Sequence, residues 1–253
     1  MRRPSAPVIA AVLCLAAGAA LAMGEADRLD VVLLAIGAPP GAEETSAVER
    51  LAWELEKRTS IVAAPRPLVL APGDPQLRRH PLLVLHGRGP LPPLDERSLD
   101  ALRGHLEAGG LLFIDAADAD RPLDEEDPFD RDVRTLVRRL FARAPLAPVP
   151  AEHVLYRTFY RLPAPAGRRV RARSLEAVAL DGRLAVVYSR NDVLGALARD
   201  RVGAFAHAVE PGGEPQRELA LRTAMNLVLY ALCLDYKADQ VHVPFLLQRG
   251  TPR

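Results

Sequence analysis

Cysteine is nearly absent: two in 253 residues exclude a disulfide framework and a Cys-rich zinc module. Cys14 lies in the N-terminal apolar run, so a processed chain would keep Cys233 alone, and one thiol closes no internal bridge. Cys233 falls in a strongly apolar helical stretch and reads as a buried structural thiol. An excess of one charge is missing too. The 33 basic and 32 acidic residues leave a formal +1, which gives no global field for nucleic acid or an anionic membrane. No Gly-rich phosphate loop is present, because Gly87-Arg88-Gly89-Pro90 is a short turn whose proline removes an amide donor. Gly-x-Ser-x-Gly and His-Glu-x-x-His are missing. There is no internal repeat, low-complexity tract or linker, which argues for one domain. A content of 49% hydrophobic and 26% charged residues suits a globular chain able to bury a sizeable core.

The N-terminus carries the clearest signal. Met1-Arg2-Arg3 is followed by an uninterrupted apolar run from Val8 to Met23, and Ala20-Leu21-Ala22 and Gly24-Glu25-Ala26 offer small-x-small cleavage sites. This pattern predicts a signal peptide over residues 1–26, cut near Ala22 or Ala26, and export of a single domain, residues 27–253, to the periplasm. The run is short for a membrane span, which needs about 20 apolar residues. Uncut, it would anchor the chain to the inner membrane, and membrane contact is expected only through it.

Further along, Arg28 to Ile36 and Leu82 to His86 read as buried strands, and Pro67 to Leu70 as a shorter one. Ser46 to Arg58 predicts a helix capped by Ser46 with Glu49, and Asp95 to Ala108 a helix ended by Gly109-Gly110. Leu111 to Ile114 follows as a strand ending in Asp115. Strand and helix alternating with short connections predict βαβ units and a mainly parallel sheet with helices on both faces. An acidic loop from Asp115 through Asp132 leads to a helix over Val133 to Ala142, and His153 to Tyr160 reads as irregular or extended. Val170 to Leu180 and Leu184 to Ser189 predict strands either side of an Asp181-Gly182 turn, and Glu218 to Tyr236 a packed C-terminal helix. The run Arg168-Arg169-Val170-Arg171-Ala172-Arg173 alternates like a strand with one solvated, charged face.

Several segments in order resemble the bacterial domain of unknown function 4159 family. They are Leu106 to Asp115, Phe129-Asp130 with Arg134, His153 with Tyr156, Gly182-Arg183 with Val186 to Asp192, and Arg222 to Leu232. The resemblance implies a class I glutamine amidotransferase-like fold, a flavodoxin-like three-layer sandwich, here with a C-terminal β-hairpin and long helix. It also implies a role at the cell envelope, since relatives accompany an ATPase and von Willebrand-type membrane proteins, and it brings no substrate. Active amidotransferases hold a nucleophilic Cys on the turn after a central strand. Here Asp115-Ala116-Ala117-Asp118 follows, with no Cys, Ser or Thr, so that activity is expected to be absent.

Ligands of open α/β sheets bind beyond the C-terminal strand ends. Asp115 and His86 end two strands there, with Asp118 and Asp120 close behind. Carboxylates with an imidazole suit a divalent cation or acid–base work, or simply a turn cap beside a neutral histidine. Asp130 and Arg134 are spaced for an intrahelical pair; alternatively Arg134 and His153 reach the same crevice to bind an anionic group. Asp192, in Ser189-Arg190-Asn191-Asp192 after an apolar strand, suits a ligand contact or a turn. Arg222 and Asn226, on one face of an apolar helix, need buried partners, with Asp115 or Asp192 as candidates. The leading expectation is an exported, non-catalytic binding or interaction module of the envelope. It would have no assigned cofactor, no nucleic-acid partner, and a small polar ligand or an envelope protein over Asp115, Arg134 and His153. The alternative is a metal- or carboxylate-dependent hydrolase using Asp115 and Asp118.

Overall fold

The computed structural model describes residues 28–117, 119–122 and 127–249. The segment expected to be a signal peptide (residues 1–26) and Asp118 lie outside them. The elements are β1 (Val32–Leu34), α1 (Ala42–Arg58), β2 (Leu68–Leu70), β3 (Leu82–Gly87), α2 (Glu96–Glu107), β4 (Leu111–Ala116), α3 (Pro128–Leu140), β5 (Ala147–Pro148), β6 (Glu176–Leu180), β7 (Arg183–Ser189) and α4 (Gly213–Arg249). They build one seven-stranded sheet in the order β2-β1-β3-β4-β7-β6-β5. The first five strands run parallel, as the flavodoxin-like order requires, and β6 and β5 are antiparallel additions. The β6–β7 hairpin turns at Asp181 and Gly182, both with positive φ (49° and 79°), the primed-turn geometry that matches strand twist.

Alternation along the parallel strands divides the core in two. Leu33, Val84, Phe113 and Val187 face α1 and α4, while Leu34, Leu85, Ile114 and Tyr188 face α2 and α3. Both faces are therefore covered, which is why these strands are near-continuously apolar. No helix among the described residues is long and apolar enough to cross a membrane.

Four local expectations are corrected. Helix α1 starts at Ala42 rather than Ser46, because Glu44 reaches back to the Gly41 amide (2.9 Å) and closes the first turn. Ser46 instead accepts from the Arg199 amide (2.9 Å) and donates to the Arg199 carbonyl (3.0 Å). Helix α3 starts at Pro128, not Val133: Asp127 caps the amides of Phe129 and Asp130, and proline fits a first turn that needs no amide. Arg168 to Arg173 forms no strand, since Asn191 Oδ1 takes the amides of Arg171 and Ala172 (both 2.8 Å) and no ladder partner is left for them. Cys233 is exposed, not buried: Ala231 is still in the core, but two residues later α4 has left it.

Candidate functional site

Sheet register creates the site. Asp115 of β4 pairs with His86 of β3 on one side and with Ser189 of β7 on the other. Their apolar neighbours Leu85, Ile114 and Tyr188 face α2 and α3, so period-two alternation sends all three polar side chains to the opposite face, at the C-terminal edge. There the first turn of α1 supplies Glu44, and the turn after β7 supplies Asp192 in a left-handed conformation (φ 57°) that aspartate tolerates. Gly195 must stay small, since a Cβ would strike the Asp192 carboxylate.

His86 is held at both ring nitrogens, with Nδ1 3.2 Å from Glu44 Oε1 and Nε2 3.0 Å from Asp192 Oδ1. Burial alone would push the imidazolium pKa down. The bonds to Asp192 and Glu44, with the negative charge of Asp115, outweigh it and raise the pKa to about 10. At neutral pH His86 is therefore a doubly donating cation. Its bond to Glu44 is the main reason that carboxyl is held down at about 2. Asp192 is likewise kept ionised: burial opposes this, but His86 and Arg168 prevail, with Arg168 Nε 2.5 Å from its Oδ2. Asp115 goes the other way. Complete burial is the chief cause lifting it to about 6; the His86 charge opposes that and the Asp192 charge adds to it. Its Oδ2 accepts the Leu194 amide at 2.8 Å, whereas Oδ1 has no hydrogen-bond partner among the described residues.

The ion pairs continue outward. Arg168 also pairs with Asp120, Arg169 joins Asp120 (2.8 Å) and Glu210, and Arg168 itself is almost fully buried. A cavity of about 170 Å³ adjoins the cluster, bordered by His86, Arg88, Asp120, Arg168, Asp192 and His207. His86 also borders a second cavity of about 240 Å³, between the loops leaving β1 and β3, together with Glu44, Pro39 and Leu91. The strand order reverses between β1 and β3, where such sheets open their ligand crevice.

Of the residues singled out in the sequence, the structure brings His86, Asp115, Asp120 and Asp192 together. The others lie elsewhere. Arg134, on α3 at the α2/α3 side of the sheet, pairs with Asp130 of the same helix (2.9 Å) and with Glu176 of β6 (2.8 Å). His153 lies on the opposite side, its ring against Tyr230 (centroids 5.9 Å apart) and its Nδ1 capping the turn at Leu155 (3.1 Å). One crevice over Asp115, Arg134 and His153 therefore does not form, because the sheet stands between the last two. Arg222 bonds Glu218 (2.8 Å) rather than Asp115 or Asp192, and its guanidinium lies over the Tyr160 ring. Asn226 braces the irregular segment, donating to the carbonyls of Leu155 and Tyr160 and accepting from the amides of Phe159 and Tyr160. Glu44 and Arg168 carry weight that sequence reading did not give them. Glu44 fell ahead of the expected helix start at Ser46 and was not singled out, and Arg168 showed only as one member of a basic run.

No protein of curated function matches the sequence. The domain of unknown function DUF4159 matches residues 36–232, which span every strand after β1 and nearly all of the described site. The chain belongs to the DUF4159 family.

Proposed function

We propose that the chain is an exported, non-catalytic binding module of the cell envelope, taking a small polar ligand or an envelope protein at the C-terminal edge of its sheet. The carrying observation is the saturation of His86: each ring nitrogen already faces a carboxylate, so the imidazole is neither a free base nor a free acid. Asp115, poised near neutrality, has no exposure and does not border the crevice, so a substrate would not touch it. The strand that would carry an amidotransferase thiolate ends instead in Asp115-Ala116-Ala117. What lines the crevice is a mixed set, Arg88, Asp120, Arg168 and His207, suited to a ligand bearing both donors and acceptors. The N-terminal apolar run with its small-residue sites supports export.

The hydrolase reading draws on the same convergence of His86, Asp115 and Asp192. It needs a group that reaches substrate, and the cluster offers this only at the His86 and Asp192 edge.

The test is expression of the full chain with a C-terminal tag in a two-membrane bacterium, followed by fractionation and an assay panel of esters, phosphoesters and amides. We expect release by osmotic shock with an N-terminus at Met23 or Asp27, and no turnover. Turnover that disappears in Asp115→Asn would make the protein an enzyme, and retention in the cytoplasm would end the export reading.

A further inference from the structure

We propose that His86, Asp115 and Asp192 form a binding site for one divalent transition-metal ion, Zn²⁺ or Mn²⁺. The inference goes beyond the binding-module reading and does not depend on it.

Each of the three residues offers one ligand atom, and these atoms lie within 4.8 Å of one another. The His86 Nε2 to Asp192 Oδ1 separation is 3.0 Å, close to the roughly 3.4 Å edge of a tetrahedron with metal–ligand bonds of about 2.1 Å. The opposite atom of each residue is fastened by another group. His86 Nδ1 faces Glu44, the carboxylate–histidine arrangement that fixes a ligating imidazole with its other nitrogen turned inward. Asp192 Oδ2 is held by Arg168, and Asp115 Oδ2 by the Leu194 amide. Three ligands are thus each preset by an outer contact, from α1, from the segment carrying Arg168 and from the turn after β7.

A second observation points to an ion rather than to an ion-pair knot. Asp115 is completely buried, and its Oδ1 finds no donor among the described residues. A buried carboxylate oxygen left without a partner is costly, and a metal bond satisfies it. Charge agrees: the carboxylates of Glu44, Asp115 and Asp192 outnumber the imidazolium and Arg168 by one. A dication with neutral His86 would bring the group to balance. One imidazole with two carboxylates favours Zn²⁺ or Mn²⁺ over the all-oxygen preference of Ca²⁺ or Mg²⁺. The way in is the crevice that His86 and Asp192 border, and it leaves room for a water or ligand oxygen as the fourth group.

The test uses purified full chain stripped with EDTA and titrated calorimetrically with Zn²⁺ and Mn²⁺ in buffers of different ionisation heat, near pH 7.5. We expect one ion per chain, release of about one proton as His86 gives up its Nε2 hydrogen, and a raised melting temperature. Asp115→Asn should abolish uptake. Glu44→Gln keeps all three ligands and should weaken binding by roughly 10–100-fold. It remains informative if the Asp115 variant fails to fold, as does the visible absorption of the Co²⁺ form, which reports nitrogen ligation. Absence of uptake by the folded wild type would overturn the proposal. So would ions bound with equal affinity in wild type and Glu44→Gln without proton release.

Discussion

At the scale of single residues, the site rests on charges that are affordable only in company. Asp192 holds His86 and Arg168 at once, and both are almost wholly enclosed. Removing one partner of a buried pair strands the other, which costs about 3–5 kcal/mol. Asp192→Asn preserves shape and tolerates the left-handed backbone, so its expected loss of about 3 kcal/mol comes from charge alone. Equilibrium denaturant unfolding reads it directly, and a loss below about 1 kcal/mol would show that the pairs are not desolvated as described. In the sequence, His86 and Asp115 were visible as polar endings to apolar strands, because a charge at the end of a buried strand is conspicuous. Glu44 and Arg168 were not, since a carboxylate ahead of the expected helix start at Ser46 and an arginine in a basic run each have ordinary solvated explanations.

At the scale of elements, the parallel strands and the hairpin could be read in advance because burial on both faces leaves a continuous apolar run, and Asp-Gly marks its turn. The irregular pieces could not. The segment from His153 to Tyr160 has little periodicity, and its shape is imposed from outside by Asn226 on α4 through four hydrogen bonds. Arg168 to Arg173 looked like a strand for the converse reason: its alternation was genuine, but Asn191 had taken its amides. Asn226→Ala removes the amide donor to the buried Leu155 carbonyl and the part-buried Tyr160 carbonyl, and should destabilise by about 2 kcal/mol. Hydrogen exchange should locate the effect, with faster exchange at the Phe159 and Tyr160 amides and little change in β3 and β4. Uniform acceleration across the sheet would mean that Asn226 supports the global core instead.

For the whole molecule, the buried cluster sets how stability depends on pH. His86 is raised from its ordinary 6.5 to about 10, so its contribution is complete below 6.5 and is lost as pH climbs through 10. Glu44, lowered from 4.5 to about 2, acts in the opposite direction: its contribution is present above 4.5 and lost as pH falls toward 2. The raised Asp115 subtracts, because its ionisation through about pH 6 is disfavoured in the folded chain. In EDTA the melting temperature should therefore fall steadily between pH 6.5 and 10, and His86→Gln should flatten that slope. A wild-type slope no steeper than the variant's would mean that the imidazole is neutral in the fold.

The sheet's strand order has a further consequence, for a chain that leaves the ribosome N-terminus first. Its central strand β4 lies between β3, made just before it, and β7, made some seventy residues later. The first turn of α1 waits longer still: Ser46 meets Arg199 across 153 positions of sequence, and Glu43 meets His207 across 164. During synthesis β4 keeps one edge open, and His86 and Glu44 have no Asp192 to close the cluster. The crevice is completed only when nearly the whole polypeptide has emerged, so the N-terminal half of the sheet waits unpaired on one edge until the last third of the chain arrives.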